Sequence, residues 1–213
     1  MVDLKTLFKK LREHPLTDIR EERRGFKKLA RKIEVKIKKN VDIKLKPPIY
    51  FILKDYCVSN KYLNCDNTKY SFKVKKFNFE RMLREGEQNP KFDGKILLPV
   101  HIENRIFGKA HLNVLIVNTK TKKVTRLDPS REKTSRIYDR NVSIGLNKFF
   151  NKRGYEYTGY SKKSKIILHG GLCRYATPAL YIHGKKLTHP ILKEMVINYL
   201  VKINNIIKKH ITN

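Results

Sequence analysis

Cysteine is scarce in this sequence, and the few cysteines present exclude two common kinds of site. Among 213 residues there are three, Cys57, Cys65 and Cys173. They form no CxxC pair and have no histidine spacing that would complete a zinc site. A low and odd count is typical of a reducing compartment, in which disulfides do not persist. We therefore expect neither a metal centre nor a disulfide framework.

Long apolar segments are missing as well. No run of about 18 apolar residues, the minimum for a membrane-spanning helix, occurs in the chain. The segment after Met1 is amphipathic and charged from Asp3 onward, unlike the apolar core of a signal peptide. Internal repeats and low-complexity tracts are absent too. These absences predict a protein that is not secreted and that is intracellular or packaged in a particle.

Acidic residues are few compared with basic ones. Lys and Arg total 49 against 19 Asp and Glu, and the net charge of +30 is spread along the chain. Such a field attracts phosphate groups, because each neutralised phosphate releases condensed counterions. Nucleic acid or another polyanion is therefore the natural partner. A lysine-rich coding bias would raise the charge in the same way, so charge by itself does not decide the partner.

The chain is long enough for one main domain with an appendage. Residues 1–46 predict two basic amphipathic helices, the first capped by Asp3 and ending at Pro15, the second with Ile19 and Phe26 on its apolar stripe. Pro47 and Pro48 mark a boundary, which divides the chain into a basic helical extension (1–46) and a domain (47–213). The second helix carries the candidate nucleic-acid-binding residues Arg20, Arg23, Arg24, Lys27, Lys28, Arg31 and Lys32.

Four readings of that second helix are consistent with its pattern. A basic amphipathic helix can lie on nucleic acid, on an acidic membrane or in an acidic protein groove. It can equally be a solvated helix whose apolar stripe packs on the domain.

The rest of the chain predicts an α+β fold, with a central mixed or antiparallel sheet flanked by helices. The run IYFILKDYCV is apolar and of strand length. Residues 95–128 read as three neighbouring strands with a short polar link, as a hairpin needs. A helix is expected over 139–154, edge strands at YEYTGYS and SKIIL, a helix after the glycine pair before Cys173, and a long final helix from His189. Residues 57–93 give no assignment except a short helical pattern over 79–84.

Three residues form a constellation with known chemistry. His111 opens a strand, Asp128 closes the next one, and Cys173 follows Gly170 and Gly171 at an expected helix start. A thiol attacks an amide only as thiolate, so it needs an imidazole beside it and a third group to orient that imidazole. Neighbouring strands joined by a short turn bring His111 and Asp128 side by side. Taken singly, each residue has an ordinary structural reading, such as a buried cysteine acting as a small hydrophobe.

The order of these elements resembles a known family. LLPVHI, AHLNVLIV, VTRLDPS and GGLCRYATPAL are similar to segments of the SUMO-protease and adenain-like cysteine peptidases, particularly those of large DNA viruses. The resemblance covers about residues 95–200. It implies a peptidase fold in which His111 is the general base, Asp128 its orienting partner and Cys173 the nucleophile. It also implies oxyanion support from Gly171, Leu172 and His169.

The same resemblance implies a partner and a location. The substrate would be a precursor protein or a conjugate of a ubiquitin-like modifier, in the virion or the host cytoplasm. No cofactor is expected beyond activation by DNA or another polyanion, which adenovirus protease uses.

The chain departs from the family at several positions. A glutamine that completes the oxyanion hole usually stands about six residues before the cysteine, where residues 166–168 are apolar; His169 is the nearest polar side chain. Loss of one oxyanion donor costs on the order of 100-fold to 1000-fold in rate. Leu112 stands directly after His111, where cellular members of the family often have an aromatic residue and some viral members a smaller one. Pro178 falls inside the helix that starts at Cys173, where it removes a backbone hydrogen bond.

Two other functions remain open at this point. One is a virion structural or nucleic-acid-contacting protein that keeps the peptidase fold without turnover, and the other is a basic host-interaction factor unrelated to peptidases.

Overall fold

The computed structural model describes residues 3–39, 46–88, 93–104, 109–129, 136–162 and 172–212. Within these ranges, a six-stranded sheet is flanked by helices on both faces. The helices are α1 (Leu4–Glu13), α2 (Arg20–Lys38), α3 (Pro48–Ile52), α4 (Phe79–Glu87), α5 (Arg136–Asn151), α6 (Cys173–His183) and α7 (His189–Thr212). The strands are β1 (Leu63–Asn67), β2 (Phe72–Val74), β3 (Lys95–Asn104), β4 (Lys109–Asn118), β5 (Lys123–Leu127) and β6 (Glu156–Lys162).

The sheet is mixed, and its strand order is β2-β1-β3-β4-β5-β6. The β1–β3 and β5–β6 pairs are parallel, and the other three pairs are antiparallel. The predicted α+β class with a central mixed sheet is therefore confirmed. The three neighbouring strands predicted over 95–128 are also confirmed, because β3, β4 and β5 form two consecutive antiparallel pairs.

A separate hydrophobic core lies on each face of the sheet. Along β3, Ile96, Leu98, Val100 and Ile102 join α4 and α5 in one cluster, whereas Leu97 joins the other. This alternation follows from the two-residue period of a strand, which sends successive side chains to opposite faces. The second cluster contains buried side chains from α1, α2, α3, α6 and α7.

The two N-terminal helices form as the sequence predicts and belong to this second core. Asp3 caps α1 by accepting a hydrogen bond from the Thr6 N–H at 2.9 Å. The apolar stripe of α2, including Phe26 and Ile33, is fully buried against the domain. The expectation that Ile19 belongs to the stripe is wrong: it is the residue before the helix begins, and its side chain is 54% exposed. The division at residue 46 stays a prediction.

One predicted strand is replaced by a helix. The run IYFILKDYCV was expected to be extended, but Pro48–Ile52 forms α3 and only Val58 makes a bridge, to Leu97. A proline fits the first turn of a helix because its fixed φ suits that position and its missing N–H has no helical partner there. The predicted strand SKIIL lies outside the described residues.

Strands β1 and β2 had no counterpart in the sequence prediction. In β1 the buried positions alternate as in other strands, but two of the three are Cys65 and Asn67. A buried asparagine hides the apolar alternation on which strand prediction depends.

The predicted C-terminal helices are confirmed as α5, α6 and α7. The α5 segment is followed by Gly154 at φ +72°, a left-handed conformation that favours glycine. None of the described helices combines the length and the apolar character needed to cross a membrane.

We expect the α2 stripe to stabilise the whole fold. Ile33→Ala should lower the free energy of unfolding by about 2–5 kcal/mol, because Ile33 is 0% exposed and the change leaves a cavity. Ile19→Ala, at the exposed residue just before the same helix, is the matched control, and it should change stability by less than about 0.5 kcal/mol. Chemical denaturation of both variants measures the difference; equal destabilisation by the two changes would contradict the docking of α2.

Candidate active site

His111 and Asp128 meet where β4 and β5 stop pairing. The first paired residues of these strands are Val114 and Leu127, so His111 and Asp128 lie just beyond that point on adjacent chains. The His111 Nε2 and an Asp128 carboxylate oxygen are 2.7 Å apart. Asp128 is buried at 4% exposure. The contact that the hairpin spacing predicts is therefore present.

Cys173 is the first residue of α6 and lies beside His111. The Cys173 thiol and the His111 imidazole are hydrogen-bonded to each other. Because Nε2 contacts Asp128, we infer that Nδ1 is the ring nitrogen that serves Cys173. The structure thus brings together the three side chains of the sequence constellation. Pro178 lies inside α6, which nevertheless continues to His183.

The backbone of Leu112 joins α6 to β4. Its N–H donates a hydrogen bond to the Cys173 sulfur. Its carbonyl accepts a hydrogen bond of 3.0 Å from the hydroxyl of Thr177, which is 0% exposed. Since β4 and β5 begin to pair only at Val114, this edge of Leu112 faces α6 instead of a strand. Two bonds to one residue therefore set the position of the thiol relative to the neighbouring His111.

The electrostatics of the site favour a thiolate with an imidazolium. Burial by itself raises the pKa of the Cys173 thiol, but the His111 hydrogen bond and charge outweigh it and lower that pKa. Burial likewise lowers the pKa of His111, but the Asp128 charge and hydrogen bond, with Cys173, raise it to about 10. A hydrogen bond to the charged form and a nearby opposite charge both favour ionisation. The thiolate form of Cys173 is therefore stabilised at neutral pH.

The other two cysteines show the opposite behaviour. Cys57 and Cys65 are both buried and unpaired by disulfides. Burial raises the pKa of Cys57, and it raises the pKa of Cys65 to about 12. Of the three cysteines, only Cys173 has a lowered pKa. In the part of the chain that the structure describes, no group of three His, Cys, Asp or Glu side chains could hold a metal ion.

Cys173 and His111 line a cleft of about 550 Å³. Its walls come from elements distant in sequence: α2, the segment before α3, β1, β3, the start of β4, α6 and α7. The stretch 57–93, which gave no functional assignment from sequence, contributes Tyr62 and Asn64. The cleft therefore places groups from several layers of the fold within reach of one bound molecule.

An ion pair ties α2 to the start of α6 at the cleft wall. The Glu34 carboxylate accepts a hydrogen bond from the guanidinium of Arg174, the residue after Cys173. Lys38 pairs with the same carboxylate at 2.8 Å. The Arg174 guanidinium also donates to the Tyr175 hydroxyl at 2.9 Å and lies over that ring. Helix α2 therefore contacts Arg174, the residue next to the candidate nucleophile.

The predicted oxyanion residues are only partly described. Leu172 is the N-cap residue of α6, and its side chain is buried. Any support that Leu172 gives to an oxyanion would therefore come from its backbone. Gly171 and His169 lie outside the described residues, and their roles stay predictions. The helix start itself contributes a positive dipole end near the Cys173 sulfur.

The candidate nucleic-acid-binding residues of α2 divide into two groups. Arg23 is buried at 6% exposure, and its guanidinium donates to the backbone carbonyls of Thr17 and Asp18. Lys27 is half-buried. The other five are exposed: Arg20, Arg24, Lys28, Arg31 and Lys32.

Sequence reasoning missed the groups that position the site. Leu112 contributes through its backbone, which no side-chain pattern reveals, and Thr177 resembles any helical threonine. Glu34 did leave a signal, because it is a lone acidic residue in the basic second half of α2. An isolated carboxylate among cations is the kind of residue that pairs with a partner elsewhere in the fold.

Comparison with known proteins gives a distant likeness to a solved structure. No protein-family model and no curated protein matches the chain. Among solved structures, one match is the SUMO protease Ulp1 with its catalytic cysteine oxidised to a sulfinic acid. The two are 11% identical, the TM-score is 0.41, and the match covers 96% of this chain and 97% of that one. A likeness of this strength does not show what the protein does.

We expect the reactivity of Cys173 to depend weakly on pH around neutrality. Iodoacetamide reacts with thiolates, and the thiolate of Cys173 persists until the pH falls through its lowered pKa. Cys57 and Cys65 should react slowly at neutral pH and faster only as the pH approaches their raised pKa values. Mass spectrometry of each alkylated peptide over a pH series measures this.

A histidine variant tests the cause. In His111→Ala the thiol loses its cation, and a free cysteine is only a few per cent thiolate at pH 7, so alkylation should slow by roughly 10-fold or more. His101→Ala, another histidine of the same cleft, is the matched control. Equal rates of Cys173 alkylation in the wild type and in His111→Ala would contradict the pairing of Cys173 with His111.

Proposed function

We propose that this protein is a cysteine peptidase. One observation carries the proposal: His111 contacts both a buried carboxylate and a cysteine at a helix start, inside an open cleft. A nucleophile, a base within hydrogen-bond reach and a third group that orients the base are the parts that covalent acyl transfer needs.

The first half of the reaction uses each residue once. The Cys173 thiolate attacks the scissile carbonyl carbon, and a C–S bond forms as the carbonyl π electrons move to oxygen. The resulting oxyanion lies near the N-terminus of α6, whose backbone N–H groups and dipole favour negative charge. The His111 imidazolium then donates its proton to the leaving amine as the C–N bond breaks. A thioester and a free amine result.

The second half regenerates the site. The neutral His111 accepts a proton from water, whose oxygen attacks the thioester carbonyl. Collapse of the second tetrahedral intermediate breaks the C–S bond and releases the carboxylic acid, while the thiolate and imidazolium are restored. In both halves, the contact of Asp128 with His111 Nε2 fixes the ring orientation and stabilises the imidazolium.

Within this class, we propose a precursor protein or a conjugate of a ubiquitin-like modifier as the substrate, in a virion or in host cytoplasm. The motif order of residues 95–200 supports this choice through its similarity to the peptidases of large DNA viruses. A cleft that is open and built from several elements is also suited to a polypeptide, which needs room on both sides of the scissile bond.

An electrophilic probe tests the peptidase proposal. The probe is a peptide or ubiquitin-like leader ending in small residues and a vinyl sulfone, which reacts covalently with an activated thiolate. We expect labelling of the wild type, none of Cys173→Ala, and a decrease of at least about 100-fold in His111→Ala, since general-base catalysis contributes that much. Cys57→Ala is the control and should label like the wild type. Labelling of Cys173 no faster than that of Cys57 would mean that the site is inert.

A second function is favoured by the outer face of α2. We propose that Arg20, Arg24, Lys28, Arg31 and Lys32 form a polyanion-binding face, which suits a nucleic-acid-contacting component of a particle. Two facts support it: these side chains are exposed, and the apolar stripe of the helix packs on the core, which holds the basic face outward. This role can coexist with peptidase activity.

The salt dependence of the affinity for double-stranded DNA tests whether this face binds polyanions. Removal of one cation that neutralises a phosphate should reduce the slope of log K against log salt by about 0.9. We expect Arg24, Lys28 and Arg31 changed together to alanine to flatten the slope by up to about 2.7. The same decrease in charge at Lys73, Lys76 and Lys148, all exposed outside α2, is the matched control. Equal effects of both triple variants would show that net charge, and not this face, governs binding.

A further inference from the structure

The cleft beside Cys173 carries an excess of positive charge. Apart from the His111 imidazolium and the Cys173 thiolate, whose charges cancel, its described lining residues include three cations, Lys38, Lys46 and Arg174, and a single carboxylate, Glu34. Two positive charges are therefore left over at this wall. This surplus of positive charge belongs to the residues that line the cleft, and it adds to the field created by the exposed charges elsewhere on the protein.

Glu34 is already engaged. Its carboxylate is 8% exposed and pairs with both Lys38 and Arg174. The side chains of Lys38 and Arg174 are nevertheless 42% and 38% exposed, so each retains donors that face solvent. An arginine has five N–H donors and a lysine three, more than these contacts use.

Lys46 is the cation best placed for a ligand. It is exposed at the cleft wall next to Pro47, and no described carboxylate pairs with it. An exposed ammonium at the wall of a partly enclosed cleft costs little to desolvate and gains from a carboxylate brought beside it.

The rest of the lining is apolar and aromatic. Pro47, Tyr62, Ala110, Leu112 and Tyr199 line the same space as the cations. A bound chain would therefore contact an apolar surface along part of its length and cations along another part. That combination matches an extended peptide that has both an apolar and an acidic side chain.

We propose that the substrate of this site is a polypeptide with an acidic side chain close to the scissile bond, held by Lys46 with Lys38 and Arg174. This inference rests on the proposed peptidase function and specifies its substrate class. The acidic side chain contacts the wall built by α2 and the segment before α3, while the scissile carbonyl lies at Cys173.

Probe peptides of one sequence test the proposal. Each ends in the same electrophile and differs only by Glu, Gln or Lys at a single position, which is moved residue by residue away from the electrophile. At one position we expect the Glu probe to label Cys173 about 5- to 10-fold faster than the Lys probe, because the Glu probe forms an exposed ion pair and avoids a like-charge repulsion. Lys46→Glu should abolish or reverse that preference.

Lys148→Glu is the matched control, because it makes the same charge change at an exposed position of α5, on the opposite face of the sheet. Loss of the preference in both variants, or an equal preference at every position, would overturn the proposal in favour of steering by net charge.

A binding measurement separates this inference from the peptidase proposal. Cys173→Ala cannot react, so the affinity of the same peptides without electrophile reports on the cleft alone. Tighter binding of the Glu peptide that depends on Lys46 would support the inference even if no probe labels Cys173. Labelling that depends on Cys173 and His111 but ignores peptide charge would overturn the inference and leave the peptidase proposal standing.

Discussion

The hydrogen bonds between the first turns of α6 and the backbone of Leu112 hold the site together. They join a helix from one layer to a strand from another, and the candidate nucleophile and base come from these two elements. The position of α6 depends in turn on burial of Tyr175, Ala176, Ala179 and Leu180 in the core. Packing brings the helix to the strand, and the two bonds define where the thiol lies within that contact.

Charge in this protein acts on two different scales. Across the surface, a net charge of +30 creates a field that is screened within about 10 Å at ordinary ionic strength. Inside the site, burial reduces screening, so the hydrogen bond and charge of a single residue, His111, are enough to lower the pKa of Cys173 against the effect of burial. Cys57 and Cys65 lie in the same strongly basic protein, yet burial raises the pKa values of both, and at Cys65 the charge of Lys75 does not offset it. Local geometry therefore outweighs the global field.

Helix α2 shows how one element can serve several purposes. Its helical period places Phe26 and Ile33 toward the core, Glu34 toward the cleft and exposed cations such as Lys28 and Arg31 toward solvent. Side chains three and four residues apart share a face, whereas intermediate positions point elsewhere. A basic amphipathic pattern thus led to several readings, since each reading described a different face of the same helix.

The sequence by itself determined the elements whose information is local. Strand alternation over 95–128, the helical patterns of α1, α5 and α7, and the hairpin contact of His111 with Asp128 all depend on residues close along the chain. Only the tertiary structure decided the approach of Cys173 to His111, the pairing of Glu34 with Arg174, and the replacement of an expected strand by α3. These contacts join residues far apart in sequence, or depend on burial in a shared core. No periodicity in a short segment encodes which distant face it will meet, and packing of the whole chain settles that choice.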